Sequence, residues 1–162
     1  KVGGGTWAVE GTMRINGTTS VPTLTVREGF IRPDSPRIFV NVAVTVEEGA
    51  GIAAKYRPGE TGEAATYGMI VTDAAKFAVS GDTLSFKVVT DGAKLRGGTR
   101  IPVLTVPAAL AETIDAKTIL IEHDVTDEKV TVGVVKEEVM IGDVPYVRYS
   151  ARCNRGMMLL LR

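Results

Sequence analysis

The sequence repeats itself with a shift of 80 residues. Gly17 to Val26 lies over Gly97 to Val106, and six of the ten positions are identical: Gly17, Thr19, Pro22, Leu24, Thr25 and Val26. Weaker pairs keep the same ungapped shift, among them Arg14 with Lys94, Glu47-Glu48 with Asp127-Glu128, and Gly62-Glu63 with Gly142-Asp143. A fixed self-similarity implies one supersecondary unit used twice. It predicts two β units, residues 1–80 and 81–162, packed together as one pseudo-symmetric body. Gly81-Asp82 at the junction reads as a tight turn and not as a linker.

The residue types inside the repeat set the class. Val, Thr and Ile supply 50 of the 162 residues. Branching at Cβ favours extended backbone. With 18 Gly and 7 Pro for turns, the expectation is an all-β chain, built as an internally duplicated antiparallel β-barrel or β-sandwich. One short helix is expected near 107–113, where Pro107 opens a run of good helix formers, Ala108-Ala109-Leu110-Ala111-Glu112. Ile38, Val40, Val42, Val44 and Val46 alternate with Phe39, Asn41, Ala43 and Thr45, which predicts one strand from Arg37 to Val46 with a core face. Pro22 and Pro102 predict an edge or a kink in their strands, because proline cannot donate to a ladder.

Charge and residue counts narrow the functions. Nineteen basic residues balance nineteen acidic ones, so no global field recruits nucleic acid or an anionic membrane. No apolar run is long enough for a membrane span. With one histidine and one cysteine, no histidine- or cysteine-rich zinc site can be assembled, and neither a metal nor a cofactor is expected. An enzyme would have to centre on His123 or Cys153. His123 lies between Glu122 and Asp124, but neighbours on a strand point to opposite faces. Cys153, expected in a turn, has Arg152 and Arg155 nearby, which would lower its pKa. The chain contains no glutamine, and amide depletion is one mark of thermostable proteins.

The C-terminal run Met157-Met158-Leu159-Leu160-Leu161 is apolar on both faces of a strand. Such a strand has to be covered twice, by its own chain or by a neighbour. The leading expectation is therefore a structural assembly protein: a homo-oligomer, or an auxiliary, decoration or coat-type subunit of a virus or phage particle or a similar shell, in which Met157 to Leu161 form the subunit contact. The alternative is a carbohydrate- or peptide-binding β module that uses the Arg57–Glu63 loop, with Trp7, Tyr56 and Tyr67 as its aromatic platform.

Overall fold

A computed structural model describes residues 6–9, 23–33, 38–40, 43–58, 66–127 and 129–155. Fourteen strands and one α-helix are found among them. The chain is all-β in character, with its helix α1 at Ala108–Asp115, directly after Pro107, as expected.

The strands follow a winding path. Strands β2 (Thr23–Val26), β3 (Gly29–Pro33) and β4 (Ile38–Val40) form one turn. Strands β5 (Ala43–Val46), β6 (Ala50–Tyr56) and β8 (Met69–Val71) form the next. Strands β9 (Phe77–Val79), β10 (Thr83–Val89) and β11 (Arg100–Pro107) form the third. Each strand pairs in parallel with its counterpart in the next turn. The result is three faces: β2-β5-β9; then β3-β6-β10, extended by β1 (Thr6–Val9) and β12 (Thr118–His123); and β4-β8-β11. A short strand β7 (Thr66–Tyr67) pairs antiparallel with β6. The third face continues as antiparallel strands β14 (Val144–Arg155) and β13 (Val130–Ile141).

This corrects the expected architecture. The sheets are open and largely parallel, where closed or face-to-face antiparallel sheets were expected. The corners explain why. Arg27-Glu28, Glu47-Glu48-Gly49 and Ser80-Gly81-Asp82 are connections of two or three residues that turn the chain onto the next face and do not fold it back along the same one. The corners hydrogen-bond to one another as the strands do, Glu47 N to Val26 O at 2.9 Å and Ser80 N to Val46 O at 2.8 Å. Arg27 faces Glu47 at 3.5 Å. The Glu48 carboxylate accepts from Asp82 N at 2.9 Å and from the Thr83 backbone and hydroxyl, which anchors the next corner.

Inward residues stack turn upon turn. Ile31, Ile52, Phe86 and Ile121 are opposite one another on successive strands, as are Leu24, Val44 and Phe77. Ile52, Phe86, Leu84 and Val88 are fully buried. Burying each large side chain contributes about 1.5–3 kcal/mol. Gly51 is required between β3 and β10: a Cβ there would come within 2.1 Å of Ser85 O and 2.7 Å of the Phe30 ring. Helix α1 closes the last turn with Leu110 and Ile114 buried. The Tyr149 hydroxyl binds it, donating to Asp115 at 2.9 Å.

Other expectations are corrected locally. Arg37–Val46 contains two strands on different faces, β4 and β5. The repeated Thr-Val end of Thr23–Val26 lies in the three-stranded sheet, whereas Val103 to Val106 lies in the five-stranded one. Pro102 sits at a β-bulge, where the β11–β14 register shifts between Pro102 and Leu104, in a strand paired on both sides. Strands from either side of residue 80 pair directly, β10 with β6 and β11 with β8.

Candidate functional site

The carboxyl ends of β6 and β10 are neighbours because the two strands are parallel and in register. A cleft of about 620 Å³ opens there, lined by Lys55, Tyr56, Arg57 and Pro58 from the end of β6 and by Thr90 to Ala93 from the end of β10.

Thr90-Asp91-Gly92-Ala93 is a tight turn, closed by Ala93 N on Thr90 O at 3.0 Å. Both central residues have positive φ, 50° at Asp91 and 80° at Gly92. Asp-Gly suits this conformation because Asp tolerates the left-handed region and Gly meets no steric cost there. Asp124, just past the end of β12, holds the turn from the next strand. Its carboxylate accepts from Thr90 N at 2.8 Å, Thr90 Oγ1 at 2.7 Å and Asp91 N at 3.1 Å. With its backbone pinned, Asp91 pairs with Lys55 Nζ at 2.6 Å. That hydrogen bond, with the positive charges of Lys55, Arg32 and Arg57, holds the Asp91 carboxyl below the usual carboxylate range. Arg32, near the end of β3, extends the cationic character one turn further along the same rim.

The cleft combines one half-exposed aromatic ring, two cations and one anchored carboxylate. Among the described residues its lining has no histidine or cysteine. Its polar groups, Lys55, Arg57 and the anchored Asp91, surround the Tyr56 ring.

Tyr56 is thus the member of the expected aromatic platform that lines a cleft. Trp7 lies on β1 and Tyr67 on β7, in the same sheet, with Tyr67 paired to Lys55 across the strands. Lys55, Asp91 and Asp124 were not singled out from the sequence. Asp91-Gly92 is a recognisable turn dipeptide, but the partner of Asp124 on a neighbouring strand had no local signal.

The candidate catalytic residues are separated. His123 is exposed at the end of β12, opposite Val88. The carboxylates beside it are engaged elsewhere, Glu122 with Lys87 at 3.5 Å and Asp124 with Thr90. Cys153 belongs to another sheet. It lies within β14 and not in a turn, and it is fully buried. Burial pushes its thiol pKa up, the reverse of the activation expected from Arg152 and Arg155. Arg152 points to the opposite face of the strand, and Arg155 is bonded to Asp127 at 3.0 Å. Among the described residues no three His, Cys, Asp or Glu side chains gather as metal ligands. Among the described residues no helix is long and apolar enough to cross a membrane. Met157, Met158, Leu159, Leu160 and Leu161 lie outside the described residues.

A second feature stands apart from the cleft. Strand β13 is twelve residues long and lies at the edge of its sheet. Among the described residues no strand pairs with its outer side. The β13–β14 hairpin carries Met140, 63 % exposed, and Val144, 50 % exposed, beside its Gly142-Asp143 turn.

Comparison with protein-family models, with curated proteins and with solved structures finds no match to this chain.

Proposed function

We propose that this chain is a structural assembly protein that works as a repeated subunit, as a homo-oligomer or as an auxiliary, decoration or coat-type component of a virus or phage particle or a similar shell. The observation that supports it most is the outer edge of β13 with the exposed apolar tip beside it. An edge strand of this length presents a row of backbone donors and acceptors, which is a template for another strand. Large apolar side chains at such an edge are what a neighbouring subunit covers. Balanced charge suits close packing of like subunits, since it limits their mutual repulsion. Sedimentation velocity and light scattering across a concentration series test this reading. A mass that rises above that of one chain supports it, and a monomer up to millimolar concentration that binds no shell partner overturns it.

A carbohydrate- or peptide-binding module is the second reading, favoured by the cleft between Tyr56 and Asp91. An aromatic face with hydrogen-bonding groups around it fits a sugar ring or a peptide. Calorimetric titration with oligosaccharides and short peptides, repeated on Tyr56→Ala, decides it. Binding by the parent that is lost in the variant would establish the cleft as the site.

A further inference from the structure

The backbone of β13 specifies how a second copy can pair with it, and this inference rests on the assembly reading. In β14 the odd-numbered residues turn their backbone groups toward β11: Cys153 N donates to Thr99 O at 2.9 Å, and Cys153 O accepts from Gly98 N at 2.7 Å. The even-numbered residues of β14 therefore turn to β13, because neighbours in an antiparallel strand alternate their bonding side. The register pairs Tyr146 with Val139, Arg148 with Glu137 and Ser150 with Val135. So the odd-numbered residues of β13 spend their N–H and C=O groups on β14. The even-numbered ones, Val134, Lys136, Glu138 and Met140, direct theirs to the outer edge.

An antiparallel mate has to meet outward groups with outward groups. Two copies of β13 can then pair only about a twofold axis that passes through a residue, not between residues. Side-chain charge selects among those axes. An axis at Lys136 sets lysine against lysine and Glu138 against Val134, and one at Glu138 sets glutamate against glutamate and Lys136 against Met140, so in both the like charges meet and the opposite charges do not. An axis at Val135 leaves Lys136 opposite Val134 and Glu138 opposite Val132. An axis at Val139 leaves Glu138 opposite Met140. Of these five axes, the one at Glu137 alone sets Lys136 opposite Glu138 of the second copy, and does so twice.

We propose that β13 is a homotypic edge, at which two copies pair antiparallel about a twofold axis through Glu137 and join their sheets into one. The same register sets Val135 opposite Val139 and the exposed Met140 opposite Val134. It sets Ile141 opposite Gly133, where nothing lies within 4 Å of the position a Cβ would take. The two Glu137 side chains meet at the axis as like charges, and Arg100 at 2.9 Å and Arg148 at 3.8 Å offset that repulsion. Lys136 holds Asp115 at 2.6 Å, and an ammonium has three donors, so it can serve Glu138 of the second copy as well. A lysine on an edge ordinarily blocks indiscriminate pairing; with a glutamate two residues on, it admits one register.

Cysteine cross-linking tests the register on the full chain, whose native Cys153 is buried. Residues at the axis form a non-hydrogen-bonded pair, with Cα atoms close enough for a disulfide. Glu137→Cys should give a covalent dimer under mild oxidation. Val139→Cys alone should not, whereas Val139→Cys mixed with Val135→Cys should. Glu138→Lys should weaken dimerisation about tenfold, and adding Lys136→Glu to it should restore the dimer by exchanging the two charges. Thermal melting of each variant establishes that it is folded. An oligomer that persists while Glu137→Cys stays uncross-linked and Glu138→Lys has no effect overturns the register and leaves the assembly reading standing. A wild-type chain that stays monomeric at every concentration and binds no shell partner overturns both.

Discussion

The stacked turns and the β13–β14 hairpin use similar residues to opposite ends. In the turns, each strand has its backbone satisfied by the turns beside it, and Ile31, Ile52 and Phe86 form a continuous buried column. In the hairpin, the same β-branched residues are half-buried along β13, and Met140 and Val144 face outward. The composition hardly differs. What differs is the number of neighbours, because a stacked strand is covered by the next turn of its own chain and, among the described residues, the outer hairpin strand is not. A stack spends its edges internally, and among the described residues the hairpin leaves one edge unspent.

The largest test of this contrast is removal of a column residue. Phe86→Ala should destabilise the fold by about 3–5 kcal/mol, read as a large fall in the denaturant midpoint. A loss below about 1 kcal/mol would show that the column is not the principal core. A smaller effect is expected where the corners are pinned by side chains. Asp124→Ala removes the acceptor for Thr90 and Asp91 and should cost about 1–3 kcal/mol, with weakened ligand binding if the cleft is used. Unchanged amide exchange at Thr90 and Asp91 would argue against this anchor.

The pH dependence draws on both regions, since Lys136 and Tyr149 of the hairpin hold Asp115. Glu48, Asp91 and Asp115 all have carboxyl groups held below their ordinary values: Glu48 by hydrogen bonds from Thr83, Asp91 by Lys55, and Asp115 chiefly by Lys136 and then by Tyr149. A lowered folded pKa gives stability that is fully present above the unfolded value and is lost as pH falls through the folded one. Stability should therefore be flat near neutrality and decline from about pH 5 downward. Glu48→Gln should reduce the steepness of that acid limb without changing the neutral side. An unaltered limb would show that the corner carboxylate is not coupled to folding.

The smallest effect is expected at the hairpin tip. Met140→Ser should alter the stability of the monomer by no more than about 0.5 kcal/mol while weakening any self-association. If it unfolds the chain instead, the contrast between stack and hairpin fails, since Met140 would then be core.

Much of the cleft could not be read along the chain. Tyr56 was identified as an aromatic near a loop, but Lys55, Asp91 and Asp124 come together only because β6, β10 and β12 end at one rim. Likewise, the two arginines near Cys153 suggested an activated thiol, and strand alternation with burial gives the reverse.

The sequence by itself determined the β class, the position of α1 behind Pro107, the tight turn at Gly81-Asp82, and the burial of Val44 and Val46 on one face. These are local properties: β-branching, proline at a helix start, glycine at positive φ, and alternation with period two. Tertiary structure alone decided which strand neighbours which. Alternation is the same in a parallel and an antiparallel strand, so the pattern could not report pairing. The repeated Pro-x-Leu-Thr-Val motif encodes a strand whose Leu and last Val turn inward, and every face of a winding chain accepts such a strand. That is why its two copies reside in different sheets, and why two- and three-residue corners, not the repeat, set the architecture.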